Sequence, residues 1–298
     1  MHTRTRSSFI VILLITAALV LAGCGDDGSG DDQRPASSNS GKQGNGGGGR
    51  DEPSDDGAPM ADQVTVPVYF TGETPQGTRL YREFRRVDAA DPLGAALTLA
   101  ANGDALDPDY GTALPGATFT TDGTAEIPLP DDGWTGMPGG MSEGASIQAI
   151  QQLVYTAQGV LQSRDPITFT DSSGAATQIF NIASEDGFTA ADPIKTLALV
   201  NVTAPEQGAT VGDTFTASGV SSSFEATTPW QVRDSTGAVV LDGFSTAEGW
   251  LDKLYPWQTE VDVSSLEPGE YTFVALTDDP SDGEGGGPTE DSKTITVG

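Results

Sequence analysis

The chain has 298 residues and a formal net charge of −29, with 43 acidic and 14 basic residues. A surface this acidic repels nucleic acid and anionic lipid headgroups, so we expect no nucleic-acid partner. The single cysteine excludes a disulfide within the chain, and apolar cores must therefore stabilise the folded domains.

Residues 1–23 are predicted to be a secretory signal peptide. Arg4 and Arg6 form its basic region, and an apolar stretch at 9–20 is too short to span a bilayer. The sequence Leu-Ala-Gly-Cys at 21–24 resembles the bacterial lipobox, in which the cysteine is diacylglycerylated and becomes the first mature residue. Two acyl chains, such as palmitate, anchor a protein stably. We therefore expect Cys24 to hold the protein on the extracytoplasmic face of the cell membrane.

Cleavage at this site leaves a chain without histidine or free thiol, because the only histidine is His2 and Cys24 becomes a thioether. Ser-His-Asp and Cys-His nucleophile systems are then excluded, as are zinc sites built from histidine and cysteine. We expect no enzymatic activity, no cofactor and no metal site. A carboxylate-based hydrolase remains the third alternative, since counting acids does not exclude it.

Residues 24–62 are predicted to form a disordered, acidic tether rich in Gly, Ser and Asp. As a flexible coil the tether spans on the order of 35 Å. It would hold the folded part away from the lipid headgroups.

Residues 63–190 are predicted to form an α+β domain. Alternating apolar residues at 64–70 and an extended segment at 79–87 indicate two strands, and Asp91 caps a short helix that ends near Gly103. The further expectations are a hairpin around Asp122-Gly123, a long helix after Ser142, a strand at 167–169 and another at 179–182. This order favours helices packed on a single sheet.

Residues 197–298 are predicted to form an all-β sandwich of the immunoglobulin type. The seven expected strands lie at 199–203, 214–220, 229–233, 238–241, 259–263, 271–277 and 293–297. Tyr271 occupies the place of a tyrosine corner, and Trp230 or Phe273 must fill the core that lacks a disulfide.

Two resemblances follow from particular motifs. The region 64–182 resembles the GerMN domain of sporulation and spore-germination lipoproteins, through Val68-Tyr69-Phe70, the Asp91 helix, Leu114-Pro115-Gly116-Ala117 and the second helix. The region 200–297 resembles the immunoglobulin-like domain of bacterial spore germination proteins, through Pro205, Gly208-Ala209-Thr210-Val211, Phe224-Glu225-Ala226, Asp234-Ser235-Thr236-Gly237 and Pro268-Gly269-Glu270-Tyr271.

The resemblance implies a non-catalytic interaction or scaffold protein of the bacterial cell envelope, of the sporulation and germination type. It brings no ligand and no catalytic residue. The expected partner is an envelope protein, and the runner-up is a module that binds peptidoglycan or another glycan.

Four features are candidates for binding, and each has a structural alternative. Arg79, Arg82, Arg85 and Arg86 crowd one strand, which is typical of a charge-protected edge strand or of an anion dock. Trp250, Tyr255 and Trp257 are either packing residues or a platform for sugars or protein. The family motif Phe224-Glu225 is either a structural corner or part of an interface. The acidic segment 278–291 lacks the spacing of an EF-hand, so calcium is the minor interpretation there.

Overall fold

The structure, a computed structural model, describes residues 62–278 and 286–298. The predicted signal peptide, Cys24 and the tether lie outside the described residues. The described part belongs to one compact unit, and none of its helices is long and apolar enough to cross a membrane.

The first region begins with a long antiparallel hairpin. Strand β1 (Gln63–Thr74) pairs along its whole length with β2 (Gly77–Asp88). Gly77 adopts a φ of 95°, which turns the chain into β2. In the described sheet β1 pairs with β2 alone and is an edge strand, which tolerates Pro67 because proline has no backbone N–H to donate.

Two helices cover the hairpin. Helix α1 (Pro92–Asn102) is capped by Asp91, whose carboxylate accepts from Gly94 N at 2.8 Å, and it ends at the left-handed Gly103. Helix α2 (Glu143–Leu161) begins at the Ser142 cap. Both helices pack on β1, and one buried cluster joins α1 and α2 through Leu97, Leu153 and Val154.

The predicted hairpin around Asp122 is wrong. Asp122 Oδ1 accepts from the backbone N and the hydroxyl of Thr124 in a local turn, but the segments on either side do not pair. Instead β3 (Glu126–Pro128) pairs in parallel with β4 (Thr168–Thr170), which lies beyond α2. The strand expected at 179–182 is also absent from the described fold, because Phe180 and Asn181 adopt positive φ angles in a tight turn between Ile179 and Ile182.

The second region is a two-layer sandwich that follows the four-residue helix α3 (Pro193–Thr196). All seven predicted strands are confirmed within a few residues, and the short β6 is an addition. The strands are β5 (Val200–Ala204), β6 (Ala209–Val211), β7 (Thr214–Ser221), β8 (Thr227–Arg233), β9 (Val239–Thr246), β10 (Tyr255–Asp262), β11 (Gly269–Leu276) and β12 (Glu290–Val297).

The sandwich has a three-stranded sheet, β10-β7-β5, facing a five-stranded sheet, β6-β12-β11-β8-β9. Phe273 is fully buried between the layers, with Trp230 at a ring distance of 6.2 Å. Tyr271 donates to the carbonyl of Glu267 at 2.9 Å, which is the tyrosine corner expected from the sequence. The fold is therefore an α+β region followed by an all-β immunoglobulin-like sandwich.

Candidate functional site

A buried polar network joins the two regions. Its centre is Lys293 of β12, which is 3% exposed. The Lys293 ammonium donates to Asp107 Oδ2 at 2.7 Å, to the Tyr110 hydroxyl at 2.8 Å and to Asp291 Oδ1 at 3.1 Å. Asp107 and Tyr110 belong to the loop after α1, so this one side chain binds both regions.

Asp291 completes the network from the sandwich side. Its Oδ1 accepts from the Tyr110 hydroxyl at 2.5 Å, and its Oδ2 accepts from Val202 N at 2.5 Å and from Asn201 Nδ2 at 3.2 Å. Every oxygen of this buried carboxylate therefore has a donor, as a buried charge requires.

The loop that carries Asp107 is itself held by a carboxylate. Glu83 of β2 is buried and accepts from Asp107 N at 2.8 Å and from Leu106 N at 3.0 Å. Tyr81, two residues earlier on the same face, stacks on Tyr110 at 4.8 Å and donates to the Glu290 carbonyl at 2.9 Å. The hairpin thus positions both sides of the interface.

The titration behaviour of the network follows from burial and charge. Burial, followed by the Asp291 and Asp107 carboxylates, raises the pKa of Tyr110 well above its usual value, and Tyr81 shifts in the same direction. For Lys293, burial opposes the charged form, but the two carboxylates outweigh it and raise its pKa. Both phenols and the ammonium therefore keep their protons in the folded protein.

The segment between the two regions is also fixed. Ala198 N donates to the Leu80 carbonyl at 2.9 Å, and Leu197 bridges to Leu80 in parallel. The linker therefore contacts the outer edge of β2 through a single parallel bridge.

A cleft of about 460 Å³ lies between α2, this linker and the sandwich. Its volume is in the range typical of small-molecule sites. Three cationic side chains line the cleft, namely Arg82, Arg164 and Lys253, and no carboxylate is among the described lining residues. Tyr155 forms part of the wall and donates to the Ala191 carbonyl at 2.6 Å. Burial raises the pKa of Tyr155 to about 12, so its phenol stays neutral.

The four strand arginines do not form one basic surface. Side chains alternate along a strand, so Arg79 and Arg85 lie on one face of β2 while Arg82 and Arg86 lie on the other. Arg85 binds Glu83 at 3.4 Å and also the carbonyl of Asp104. The four side chains therefore do not share one face, and of the four only Arg82 lines the cleft described above. Binding of an anion or acidic partner through this strand stays a prediction.

Arg82 lies at the junction of the two regions. Its Nη2 donates to Thr203 Oγ1 at 3.2 Å, and its guanidinium stacks on Phe84 at 4.7 Å. Its buried Nε has no hydrogen-bond partner among the described residues.

The aromatic loop is divided between core and surface. Trp257 is 3% exposed and belongs to the sandwich core, because its position on β10 turns it inward. The packing alternative therefore holds for Trp257, and this residue is not part of a surface platform. Tyr255 is half-buried and donates to Asp252 at 2.8 Å. Trp250 is half-buried and packs edge-on against Phe224 at 5.2 Å.

The family motif therefore meets the aromatic loop. Phe224 is exposed at a 3-10 turn in which Glu225 has a φ of 51°. Leu251 follows Trp250 and is 67% exposed. Phe224, Trp250 and Leu251 together are called the apolar corner below.

The acidic segment 278–291 is described only at its two ends. Asp291 serves the buried network with Lys293, which leaves it no free oxygen for a cation. Among the described residues, no group of three or more acidic, histidine or cysteine side chains is placed to hold a metal ion.

Sequence analysis missed the buried network and the cleft. Lys293 and Asp107 are 186 residues apart, and each is a single charged residue in an unremarkable strand or loop. The only signal available was the position of Lys293 in an alternating apolar strand, at a place that faces the core.

The fold and site define a two-domain protein in which an α+β domain and an immunoglobulin-like sandwich share a buried interface. Residues 67–173 match the Germane family model, described as "Sporulation and spore germination". Residues 199–284 match the Gmad2 model, described as the "Immunoglobulin-like domain of bacterial spore germination". The chain carries both germination-type domains in this order, which confirms the resemblance seen in its sequence and supports a germination-related role.

Three solved structures show weak similarity to this chain. CopC from Methylosinus trichosporium OB3b is 21% identical, with a TM-score of 0.23 over 33% of this chain and 92% of that one. An engineered protein is 15% identical, with a TM-score of 0.24 over 51% of this chain and 36% of that one. A lytic polysaccharide monooxygenase from Jonesia denitrificans is 12% identical, with a TM-score of 0.21 over 32% and 60%. Among curated proteins, no significant match was found.

Proposed function

We propose that this protein is a membrane-anchored, extracytoplasmic lipoprotein that works as a non-catalytic interaction protein of the bacterial cell envelope. The observation that carries the proposal is the buried Lys293 network, because it joins two germination-type domains into one body with a continuous surface. Such a body suits a protein that presents a fixed surface to a partner.

The apolar corner supports contact with an envelope protein. Aromatic and apolar side chains that cluster on an exposed surface are typical of binding hot spots. Its position at a turn of the sandwich leaves it open to a partner. We expect Trp250→Ala together with Leu251→Ala to reduce capture of a protein from membrane extract. The matched control is Leu106→Ala, which removes an exposed leucine, 52% accessible, from the first domain.

Capture experiments separate the protein partner from the glycan alternative. Purified peptidoglycan and membrane extract are offered in parallel to the wild-type protein and to the corner variant. Retention on peptidoglycan, undiminished in the corner variant, would favour the glycan-binding alternative and contradict the proposal.

The lipid anchor rests on the lipobox-like sequence that ends at Cys24. Cys24→Ser should release the protein from the membrane fraction or leave it as an uncleaved precursor, because no thiol is then available for acylation. Membrane fractionation and mass spectrometry measure both results. A variant that fractionates normally and has the mass of a mature, acylated chain would refute the anchor.

The absence of catalysis is tested with purified peptidoglycan. We expect no soluble sugar or peptide above background, since the mature sequence offers neither histidine nor thiol. Release that disappears when one carboxylate is replaced would establish the hydrolase instead.

A further inference from the structure

The cleft between the two domains combines positive charge with unused hydrogen-bond acceptors. Arg164 and Lys253 are exposed at the cleft, and neither forms an ion pair within the described part of the chain. Three cations without a carboxylate are unusual in a protein of net charge −29. The local charge therefore favours an anionic ligand.

Two buried amide side chains in the same cleft lack a partner for their oxygens. Gln158 is 3% exposed and Asn201 is 4% exposed. Gln158 Oε1 and Asn201 Oδ1 have no hydrogen-bond partner among the described residues. A buried acceptor without a donor is unfavourable, so these oxygens call for donors that the described chain does not supply.

The orientation of both amides is chemically determined. The Gln158 Nε2 group donates to the Asp165 carbonyl at 2.9 Å, and the Asn201 Nδ2 group donates to the Asp291 carboxylate at 3.2 Å. Each of these partners only accepts, so exchanging the nitrogen and the oxygen would set two acceptors against each other. The free positions are therefore acceptors.

We propose that the cleft binds a carboxylate ligand of amino-acid to short-peptide size. Arg82, Arg164 and Lys253 would bind the carboxylate, while Gln158 Oε1 and Asn201 Oδ1 would accept from the ligand's N–H groups. A peptide C-terminus carries both groups a few atoms apart. The proposal goes beyond the function proposed above, which names no small ligand.

Phosphate and neutral sugars fit this cleft less well. Inorganic phosphate at neutral pH is only partly ionised and keeps a hydroxyl donor, but its other oxygens only accept and would be unfavourable beside the two amide oxygens. A neutral sugar supplies hydroxyl donors but leaves the three cations without an anion. A peptide C-terminus satisfies both requirements, because its carboxylate pairs with the cations and its N–H groups donate to the amide oxygens.

Isothermal titration calorimetry on the purified full-length protein in detergent tests the proposal. The probes are N-acetyl-alanyl-alanine, its C-terminal amide, inorganic phosphate and N-acetylglucosamine. We expect the free acid to bind and the amide to bind at least about tenfold more weakly, since the charge-assisted hydrogen bonds are lost. The L,L and D,D forms of the dipeptide distinguish an ordinary peptide from a cell-wall peptide as the source.

Exposed cations provide variants that keep the fold. Arg164→Gln and Lys253→Gln should each weaken binding of the free acid about three- to tenfold. Arg86→Gln is the matched control, because it removes an exposed arginine of β2 that does not line the cleft, and its affinity should equal that of the wild type. Gln158→Leu, with its folding checked by circular dichroism, should weaken binding of the acid and the amide alike.

The proposal would be overturned by no heat of binding with either the L,L or the D,D dipeptide acid, by equal affinity for the acid and its amide, or by equal weakening in Arg86→Gln and Arg164→Gln. Binding of phosphate as tightly as the dipeptide would also overturn it. Membrane fractionation of the Arg164→Gln variant should be normal, so a failure of the cleft proposal and a failure of the proposed anchoring give different results.

Discussion

Replacing Lys293 with methionine tests whether the buried network couples the two domains. The ammonium uses all three of its hydrogens, toward Asp107, Tyr110 and Asp291. Methionine preserves most of the apolar stem but leaves two carboxylates buried without a cation. Removing one partner of a buried ion pair costs about 3–5 kcal/mol, so we expect a loss of this size in the free energy of unfolding.

Urea unfolding monitored by tryptophan fluorescence and circular dichroism measures this loss. Trp134 reports on the first domain, and the other three tryptophans report on the sandwich. We expect one transition for the wild type and two separate transitions for Lys293→Met, because the variant no longer couples the domains. The control is Lys195→Met, because the Lys195 side chain is 82% exposed and its ammonium lies 3.8 Å from Asp192. Its expected loss is about 0–1 kcal/mol.

A rescue experiment checks the physical cause. Lys293→Met combined with Asp107→Asn and Asp291→Asn removes the buried charges together, and it should recover part of the lost stability. A loss below about 1 kcal/mol in Lys293→Met, with a single transition retained, would refute the coupling. A triple variant as unstable as the single one would show that uncompensated charge is not the cause.

Two further predictions concern the core and the tyrosines. Trp257→Ala should lower the free energy of unfolding by about 3–5 kcal/mol because it leaves a cavity in the core, and thermal unfolding measures this loss. At a low temperature where the variant is folded, it should still capture its partner. Unchanged stability with lost capture would instead place the ring at the interface. Alkaline pH should destabilise the protein, because Tyr81, Tyr110 and Tyr155 have raised pKa values in the fold and ordinary values near 10 in the unfolded chain. Above this pH the unfolded state binds fewer protons than the folded state, so the free energy of unfolding should fall as pH rises above about 10. Ionisation of these tyrosines before the protein unfolds, seen as a rise in phenolate absorbance at 295 nm, would contradict this.

Short sequence patterns predicted the elements that are stabilised by contacts between residues close together in the chain. The caps Asp91 and Ser142 marked the starts of both main helices, because a side-chain oxygen must satisfy the first backbone N–H groups. Tyr271 marked its corner because its partner, the Glu267 carbonyl, is four residues away.

Features that depend on distant pairing were not predictable. The segment around Asp122 has the turn chemistry of a hairpin, but the nearby Thr121 donates to the Asp91 carboxylate and β3 pairs with β4 across α2. Alternation along β2 already separates Arg79 and Arg85 from Arg82 and Arg86, but the sequence does not show which face of the strand the second domain covers. The cleft depends on the interface between domains, which no single segment encodes.

The linker has a kinetic consequence for anything that enters the cleft. Ala198 N is bound to the Leu80 carbonyl, so the two domains have no slack segment that could act as a hinge. Opening the cleft would break this bond and the Lys293 network together. This cost is too high for the domains to open and close with each binding event. A ligand would therefore meet a preorganised site, and its association rate should depend linearly on ligand concentration, without the saturation that a preceding conformational step imposes.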